Sequence, residues 1–188
     1  SAVFEVLFTA ALDGASDGGG MLAYNYLSGE PITDLEEGRP LFVRSPDSRF
    51  DLATFMRTHL FSSLATLRIG MDVLQKTEGV RLDRMFAHGG LFRTKGVAQR
   101  FLAAAIDTPV SVGDVAAEGG AWGIAVLAAF ATGRSPGQDL ADYLDTTVFT
   151  GARLQTAQPE PADGAGFDAF MQRYVAGLPV ERAAVACV

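Results

Sequence analysis

Apolar residues in the middle of the chain recur at steps of three and four from residue 51 to residue 78. This spacing puts them on one face of an α-helix and predicts the longest element of the chain. Asp51 or Ser48 is suited to cap its start, and Gly79 to end it in a left-handed turn. We expect His59 to be a core histidine, because nothing nearby in the sequence completes a catalytic site. The predicted apolar face consists of Leu52, Phe55, Met56, His59, Leu60, Leu64, Leu67, Met71 and Leu74.

Short apolar runs alternate with helical patterns elsewhere, which is typical of an α/β fold with parallel strands and right-handed crossovers. The predicted strands are residues 3–8, 84–87 and 109–112. The predicted helices are residues 95–106, 120–132 and 138–144, and a last helix around residues 167–174 that Gly177 and Pro179 close. The density of Pro, Asp, Ala and Gly predicts connections at residues 39–50 and 156–166.

Composition narrows the class of protein. The 188 residues are 48% hydrophobic, which is enough for the core of one domain. A net charge of −7 without any basic run argues against a nucleic-acid or anionic-membrane partner. The one cysteine, Cys187, allows neither an internal disulfide framework nor a cysteine metal site. The sequence has no bilayer-spanning apolar segment and no signal-peptide pattern, so we expect a cytoplasmic protein.

Two glycine-rich corners, residues 85–90 and 119–123, carry the candidate chemistry. We interpret the first as a strand that ends in a glycine pair before a helix. Adjacent glycines permit positive φ and a close ligand, and the first amides of a helix suit a phosphate. A glycine pair is also common in ordinary turns, so two interpretations remain, a tight turn and a phosphate site. Asp83 and Glu118 stand beside these corners, where each is suited to a ribose hydroxyl, a metal-bound water or a helix cap.

Established catalytic motifs are missing from the sequence. It contains no P-loop, no G-x-S-x-G elbow, no H-E-x-x-H and no paired cysteines. Residues 18–23 match the loose pattern G-x-G-x-x-A, but no βαβ unit frames them, so we reject a dinucleotide fold. The residues by themselves therefore predict an α/β domain with a candidate phosphate corner and no metal site.

Several longer strings carry a family resemblance. Residues 88–99, 109–112 and 118–125 resemble the nucleotide-binding end of the FGGY carbohydrate kinases. In that family a strand ends in Gly-Gly, a helix with Gln follows, then a Pro-Val strand, and a Glu precedes a Gly/Ala-rich helix. Residues 24–30, 38–44 and 55–57 are similar to a xylulokinase-like branch. The similarity spans residues 17–185.

The resemblance implies an actin-like ATPase lobe of the ribonuclease-H-like kind, with a mixed sheet flanked by helices. Residues 1–188 would form one domain, the C-terminal nucleotide-binding lobe. The family's sugar-binding lobe and its catalytic Asp precede that lobe in the chain. The resemblance therefore implies no catalytic residue here, and an isolated fragment that is inactive.

The glycine pair and its helix receive their roles from the resemblance. Gly89 and Gly90 would pass under the phosphates and ribose of the nucleotide. Thr94, four places past the second glycine, would contact the nucleoside. Lys95 suits a phosphate partner or an exposed helix-start lysine, and both interpretations stay open.

The other walls of the nucleotide site follow in the same way. Glu118 and Gly119 would help to wall the adenine pocket. The corner from Gly20 to Asn25 would approach the phosphates from the other side.

The implied function is transfer of the ATP γ-phosphoryl group to a sugar hydroxyl, with Mg²⁺ neutralising charge. The xylulokinase-like strings favour a pentulose such as xylulose, although the sugar contacts belong to the missing N-terminal lobe. Two alternatives remain: a non-catalytic actin-like domain that binds nucleotide or a partner, and a dimerisation domain that forms a homodimer through the helix of residues 51–78.

Overall fold

The computed structural model describes residues 2–113, 119–151 and 153–187, which form a mixed α/β fold. Its helices and strands in chain order are α1 (Ala2–Ala10), β1 (Met21–Tyr24), β2 (Leu41–Arg44), α2 (Leu52–Asp72), β3 (Met85–Phe86), α3 (Val97–Ile106), β4 (Val110–Gly113), α4 (Gly119–Gly133), α5 (Leu140–Tyr143), β5 (Leu154–Ala157) and α6 (Pro161–Cys187).

A three-stranded mixed sheet with the order β3–β4–β5 underlies the glycine corners. β3 and β4 are parallel, with Met85 opposite Val110, as the alternating pattern predicts. β5 runs antiparallel to β4, with Leu154 opposite Gly113. The prediction of a plain connection at residues 156–166 is wrong, because β5 ends inside it and α6 begins at Pro161. β5 is mostly exposed, so its sequence lacks the apolar alternation that identifies a strand.

A second sheet pairs β1 with β2 in antiparallel register, Met21 opposite Arg44 and Tyr24 opposite Leu41. The predicted connection at residues 39–50 is therefore partly a strand. β2 lies at an edge with alternating partial exposure, which weakens its sequence signal.

α2 begins where the sequence predicts, but it ends at Asp72, before the predicted end at residue 78. An Asp51 carboxylate oxygen accepts a 2.8 Å hydrogen bond from the Thr54 amide and caps the first turn. After α2 a wider turn, Val73–Thr77, continues the helical path. Gly79 follows with a φ of +66°, the left-handed conformation that glycine adopts without strain.

The buried face of α2 differs from the predicted one. Leu52 and Leu67 are 56% and 39% exposed, whereas Arg57 is buried. The Arg57 guanidinium donates 2.8 Å to the carbonyl oxygen of Gly14 and lies 3.7 Å from the Asp163 carboxylate, so its charge is paired inside the protein. His59 is half-buried and packs between the rings of Phe42 and Phe55, and burial lowers its pKa. The buried residues of α2 are Thr54, Arg57, Thr58, Leu60, Phe61, Ser62, Leu64, Ala65 and Met71.

Two boundary predictions at the ends of the chain are wrong. Residues 3–8 form helix α1 instead of a strand, because a short apolar run fits either element and only packing against α2 decides. Gly177 and Pro179 do not close the last helix, since α6 continues through both to Cys187. Gly177 serves packing instead: a side chain there would collide with the Tyr24 hydroxyl.

The core lies where α2, α3 and α6 meet. Phe61 on α2 contacts Phe101 of α3 and Phe167 and Phe170 of α6 at ring-centre distances of 5.0–5.4 Å. α3 also packs on β4 and β5, so this helical layer holds one side of the three-stranded sheet. By contrast, α4 has no buried residue in the part of the chain described.

Candidate functional site

The candidate site is at the carboxyl edge of the three-stranded sheet. Because β3 and β4 are parallel, the segments that follow them leave the sheet at the same edge. β3 is followed by His88, Gly89 and Gly90, and a tight helical turn, Gly90–Arg93, begins at once. The second glycine corner, which begins α4, follows β4. The topology therefore brings both predicted corners to one edge.

Gly89 and Gly90 form an open backbone surface. Gly89 has a φ of +110°, a value that other residues rarely adopt. A Cβ built at either glycine would meet no atom within 4 Å. Glycine at position 89 is thus required by its conformation and not by crowding inside the protein. The free space beside both residues is what close approach of a ligand needs.

The two glycine corners touch each other. Gly119 is the first residue of α4, and a Cβ built on it would lie 2.6 Å from Cγ of His88. The His88 ring therefore rests directly on the Gly119 backbone. The two corners therefore lie next to each other in the fold. Glu118, the predicted adenine wall beside Gly119, lies outside the described residues.

A cavity of about 770 Å³ opens between α1 and the segment after the glycine pair. Thr94 and Gly90 line it, as does Lys95, and Arg93 adds a second positive charge on the same side. Phe4 and Phe8 are among the α1 residues that line it. Sequence reasoning missed α1 here, because it predicted a strand at residues 3–8. The sequence carried no clear signal for it, because residues 2–10 are apolar almost throughout and show no one-sided apolar face.

Gly20 and Asn25 belong to the other sheet. Gly20 precedes β1 with a φ of +79°, and a Cβ there would lie 2.6 Å from Oγ of Ser45. The Ser45 amide also donates 3.0 Å to the Gly20 carbonyl oxygen. Packing against the turn after β2 therefore explains this glycine. Asn25 is exposed just after β1, and the approach of both residues to phosphates stays a prediction.

Gln99 on α3 ties the site's helix to the sheet. Its buried amide nitrogen donates to the carbonyl oxygens of Val110 at 2.8 Å and Gln155 at 2.6 Å. These bonds fix α3 against β4 and β5, and α3 also contacts the Gly90–Arg93 turn. The family resemblance includes this Gln, and the structure shows its packing role.

Comparison with known proteins bears on the whole chain. The sequence profile of the "FGGY family of carbohydrate kinases, C-terminal domain" matches residues 2–132. Comparison with curated protein sequences gave no match. Among the residues described, no helix is long and apolar enough to cross a membrane.

The solved structures that resemble this chain include a xylulose kinase, a gluconate kinase and a glycerol kinase. A ligand-bound xylulose kinase from Lactobacillus acidophilus has a TM-score of 0.70 at 18% sequence identity. The alignment covers 96% of this chain and 34% of the xylulose kinase. A gluconate kinase from the same organism has a TM-score of 0.67 at 19% sequence identity. The alignment covers 89% of this chain and 32% of the gluconate kinase. A Plasmodium falciparum glycerol kinase with ADP has a TM-score of 0.64 at 15% sequence identity. The alignment covers 89% of this chain and 32% of the glycerol kinase. The chain thus spans about a third of the length of these structures.

Proposed function

The chain belongs to the FGGY family of carbohydrate kinases as its C-terminal domain, and from this we propose that it is the ATP-binding half of a carbohydrate kinase. Its fold is the actin-like ATPase fold of these enzymes, a mixed sheet flanked by helices. The observation that carries the proposal is the contact of the two glycine corners at the edge of that sheet.

The nucleotide fits this edge on chemical grounds. Gly89 and Gly90 offer bare backbone to the phosphates and ribose, and the amides that begin α4 carry partial positive charge. Thr94 supplies a hydroxyl to the nucleoside from the adjoining cavity, where Lys95 suits a phosphate. Gly119 would border the adenine, a role that the family resemblance also gives to Glu118. The corner from Gly20 to Asn25 would approach the phosphates.

The proposed reaction needs a second, N-terminal lobe. The chain spans about a third of the length of these solved structures. Among the strands described, β3 lies at the edge of its sheet, and Phe86 on it is 63% exposed. Both observations support a domain that works with further polypeptide. The catalytic base that activates the sugar hydroxyl would lie there, and closure of the two lobes would exclude water.

Mg²⁺ would accompany ATP and neutralise charge on its phosphates during transfer. Within the described ranges, no three His, Cys, Asp or Glu side chains gather at a possible metal site. On the side of this domain the ion would be held through nucleotide phosphates and water, since Mg²⁺ usually keeps several of its waters. We place the reaction in the cytoplasm.

The sugar that we propose is a pentulose such as xylulose. The strings at residues 24–30 and 38–44 support this choice, and a xylulose kinase is among the similar structures. The similar structures also include a gluconate and a glycerol kinase, so the test needs a panel of sugars and polyols.

Calorimetric titration with ATP·Mg²⁺ tests the nucleotide site. The chain is expected to bind with a Kd of roughly 1 mM, because one lobe supplies only half of the cleft. Gly90→Val fills the open corner and should weaken binding at least about tenfold. Gly133→Val, also in open space at the far end of α4, is the matched control and should bind like the unchanged chain. Equal binding by both variants would refute the site.

Turnover is tested on the complete polypeptide that carries this domain. ADP release should depend on an added sugar and should be fastest with xylulose among xylulose, ribulose, gluconate and glycerol. Nucleotide binding without sugar-dependent ADP release would favour the non-catalytic alternative instead.

A homodimer is the second candidate, and one observation favours it. The outer face of α2 and its continuation exposes large apolar side chains, Leu52 and Val73 the most at 56% and 47%. Light scattering after size exclusion measures the mass directly. A mass of about 40 kDa, twice the 19.8 kDa chain, would support a dimer.

A further inference from the structure

His88 in the first glycine corner contacts Gly119 in the second so closely that position 119 has no room for a side chain. A Cβ built on Gly119 would lie 2.6 Å from both Cγ and Nδ1 of His88 and 2.8 Å from its Cβ. Real Cβ atoms do not approach other atoms within 3.0 Å. The other side of the His88 side chain is exposed to solvent. Glycine at position 119 is therefore required by the imidazole of His88.

The atoms involved make this contact stiff. Rotation about χ1 moves Cγ and Nδ1 of His88, but no side-chain rotation moves its Cβ, which lies 2.8 Å from the Cβ built on Gly119. Relieving that approach therefore displaces the backbone of His88 or of Gly119, and the backbone of His88 continues directly into Gly89. A shift of α4 at Gly119 is thus passed to the turn that carries Gly89 and Gly90.

We propose that His88 is a positioning residue: its contact with Gly119 sets the separation between the Gly89–Gly90 turn and the beginning of α4. The width of this gap then determines how well a nucleotide fits between the two corners. This second step rests on the proposed nucleotide site, whereas the coupling of the corners rests on the contact alone.

Four variants test the contact. Gly119→Ala places a methyl group against His88. Gly120→Ala is the matched control on the next residue of the same helix, where a Cβ meets no atom within 4 Å. Both substitutions raise helix propensity equally, so the difference between them reports the collision. His88→Ala removes the ring, and the double variant His88→Ala/Gly119→Ala restores space for the methyl group.

Two readouts separate the coupling from the nucleotide. Trp122, the one tryptophan of the chain, lies three residues after Gly119 on α4, and its ring is 5.6 Å from that of Phe149. Its fluorescence therefore reports the placement of α4 in the absence of ligand. Calorimetry with ATP·Mg²⁺ reports the fit of the nucleotide.

We expect that removing the His88 ring relieves the effect of the methyl group at position 119. Gly119→Ala should shift the Trp122 emission and weaken ATP binding about tenfold, in line with the cost of overpacking. Gly120→Ala should leave the Trp122 emission unchanged, because its Cβ meets no atom within 4 Å, and the double variant should match His88→Ala in both readouts. The same Trp122 shift in Gly119→Ala and Gly120→Ala, or additive losses in the double variant, would overturn the proposal. If Trp122 follows the expected order while the unchanged chain binds no ATP, the coupling is upheld and the nucleotide site fails.

Discussion

The hydroxyl group of Tyr174 donates a 2.7 Å hydrogen bond to the hydroxyl oxygen of Tyr26. These residues are 148 positions apart, on α6 and just after β1, and the bond is buried. The Tyr24 hydroxyl in turn donates 2.8 Å to the main-chain oxygen of Tyr174. The small sheet is therefore fastened to the last helix by a tyrosine network. Burial raises the pKa of Tyr174, so the network is neutral over the physiological pH range.

Tyr174→Phe should destabilise the fold by about 1–2 kcal/mol, because the Tyr26 oxygen loses its donor inside the protein. Urea denaturation measures the change in the free energy of unfolding. Tyr143→Phe is the control: its ring contacts Phe130, and no hydrogen bond of its hydroxyl is seen among the described residues. A Tyr174→Phe variant as stable as Tyr143→Phe would contradict the role of the network.

Asp51 should make stability depend on acid pH. The Thr54 amide, the Thr54 side chain and Arg49 stabilise its charged form and lower its pKa from 3.8 to about 2. A lowered pKa in the folded state contributes stability above pH 4 that is lost as the pH falls towards 2. The difference in urea midpoint between the unchanged chain and Asp51→Ala should therefore shrink from pH 5 to pH 2.

Asp51→Asn is the matched control for this titration. Its side-chain oxygen still accepts from the Thr54 amide, but it carries no ionisable group. The difference in urea midpoint between Asp51→Asn and Asp51→Ala should stay constant over the same pH range. A pH-independent difference between Asp51 and Ala would show that the carboxylate does not titrate with folding.

Asp163 should be among the costliest polar residues to replace. Its buried carboxylate accepts a hydrogen bond from Arg100 and faces the buried guanidinium of Arg57 at 3.7 Å. Asp163→Ala leaves Arg57 without its counter-charge and should cost about 3–5 kcal/mol. Asp168→Ala on the same helix removes an exposed carboxylate from Arg68, which keeps its ion pair with Asp72, and should cost less than about 1 kcal/mol. Thermal and urea unfolding measure both, and equal losses would contradict the buried pair.

Gly89→Ala should weaken ATP binding beyond its effect on stability. The substitution forces a side chain into a φ of +110° at the corner. Gly137→Ala carries a similar strain, at a φ of +82°, in the turn between α4 and α5. Only Gly89→Ala should raise the Kd for ATP·Mg²⁺, by about tenfold or more. Comparable affinities of the two variants would show that the backbone at position 89 is not part of the nucleotide site.

Part of the candidate site could be predicted from short stretches of sequence, and part of it could not. Gly89 and Gly90 were recognisable as a corner, because a glycine pair after an apolar strand is encoded within a few residues. The ring of His88 on Gly119 was not, since the contact joins residues 31 positions apart and depends on the pairing of β3 with β4. Arg57 was equally hidden, because its burial depends on Asp163 in a different helix.

The sequence by itself determined the elements whose causes are local and the family to which the chain belongs. The Asp51 cap and the left-handed Gly79 follow from neighbouring residues. The parallel direction of β3 and β4 follows from the strand–helix–strand order of the chain. Only the tertiary structure decided that residues 2–10 are helical, that α6 continues past Gly177, and that His88 meets Gly119. The physical reason is that these outcomes depend on packing between distant segments, whose free energy no short stretch of sequence contains.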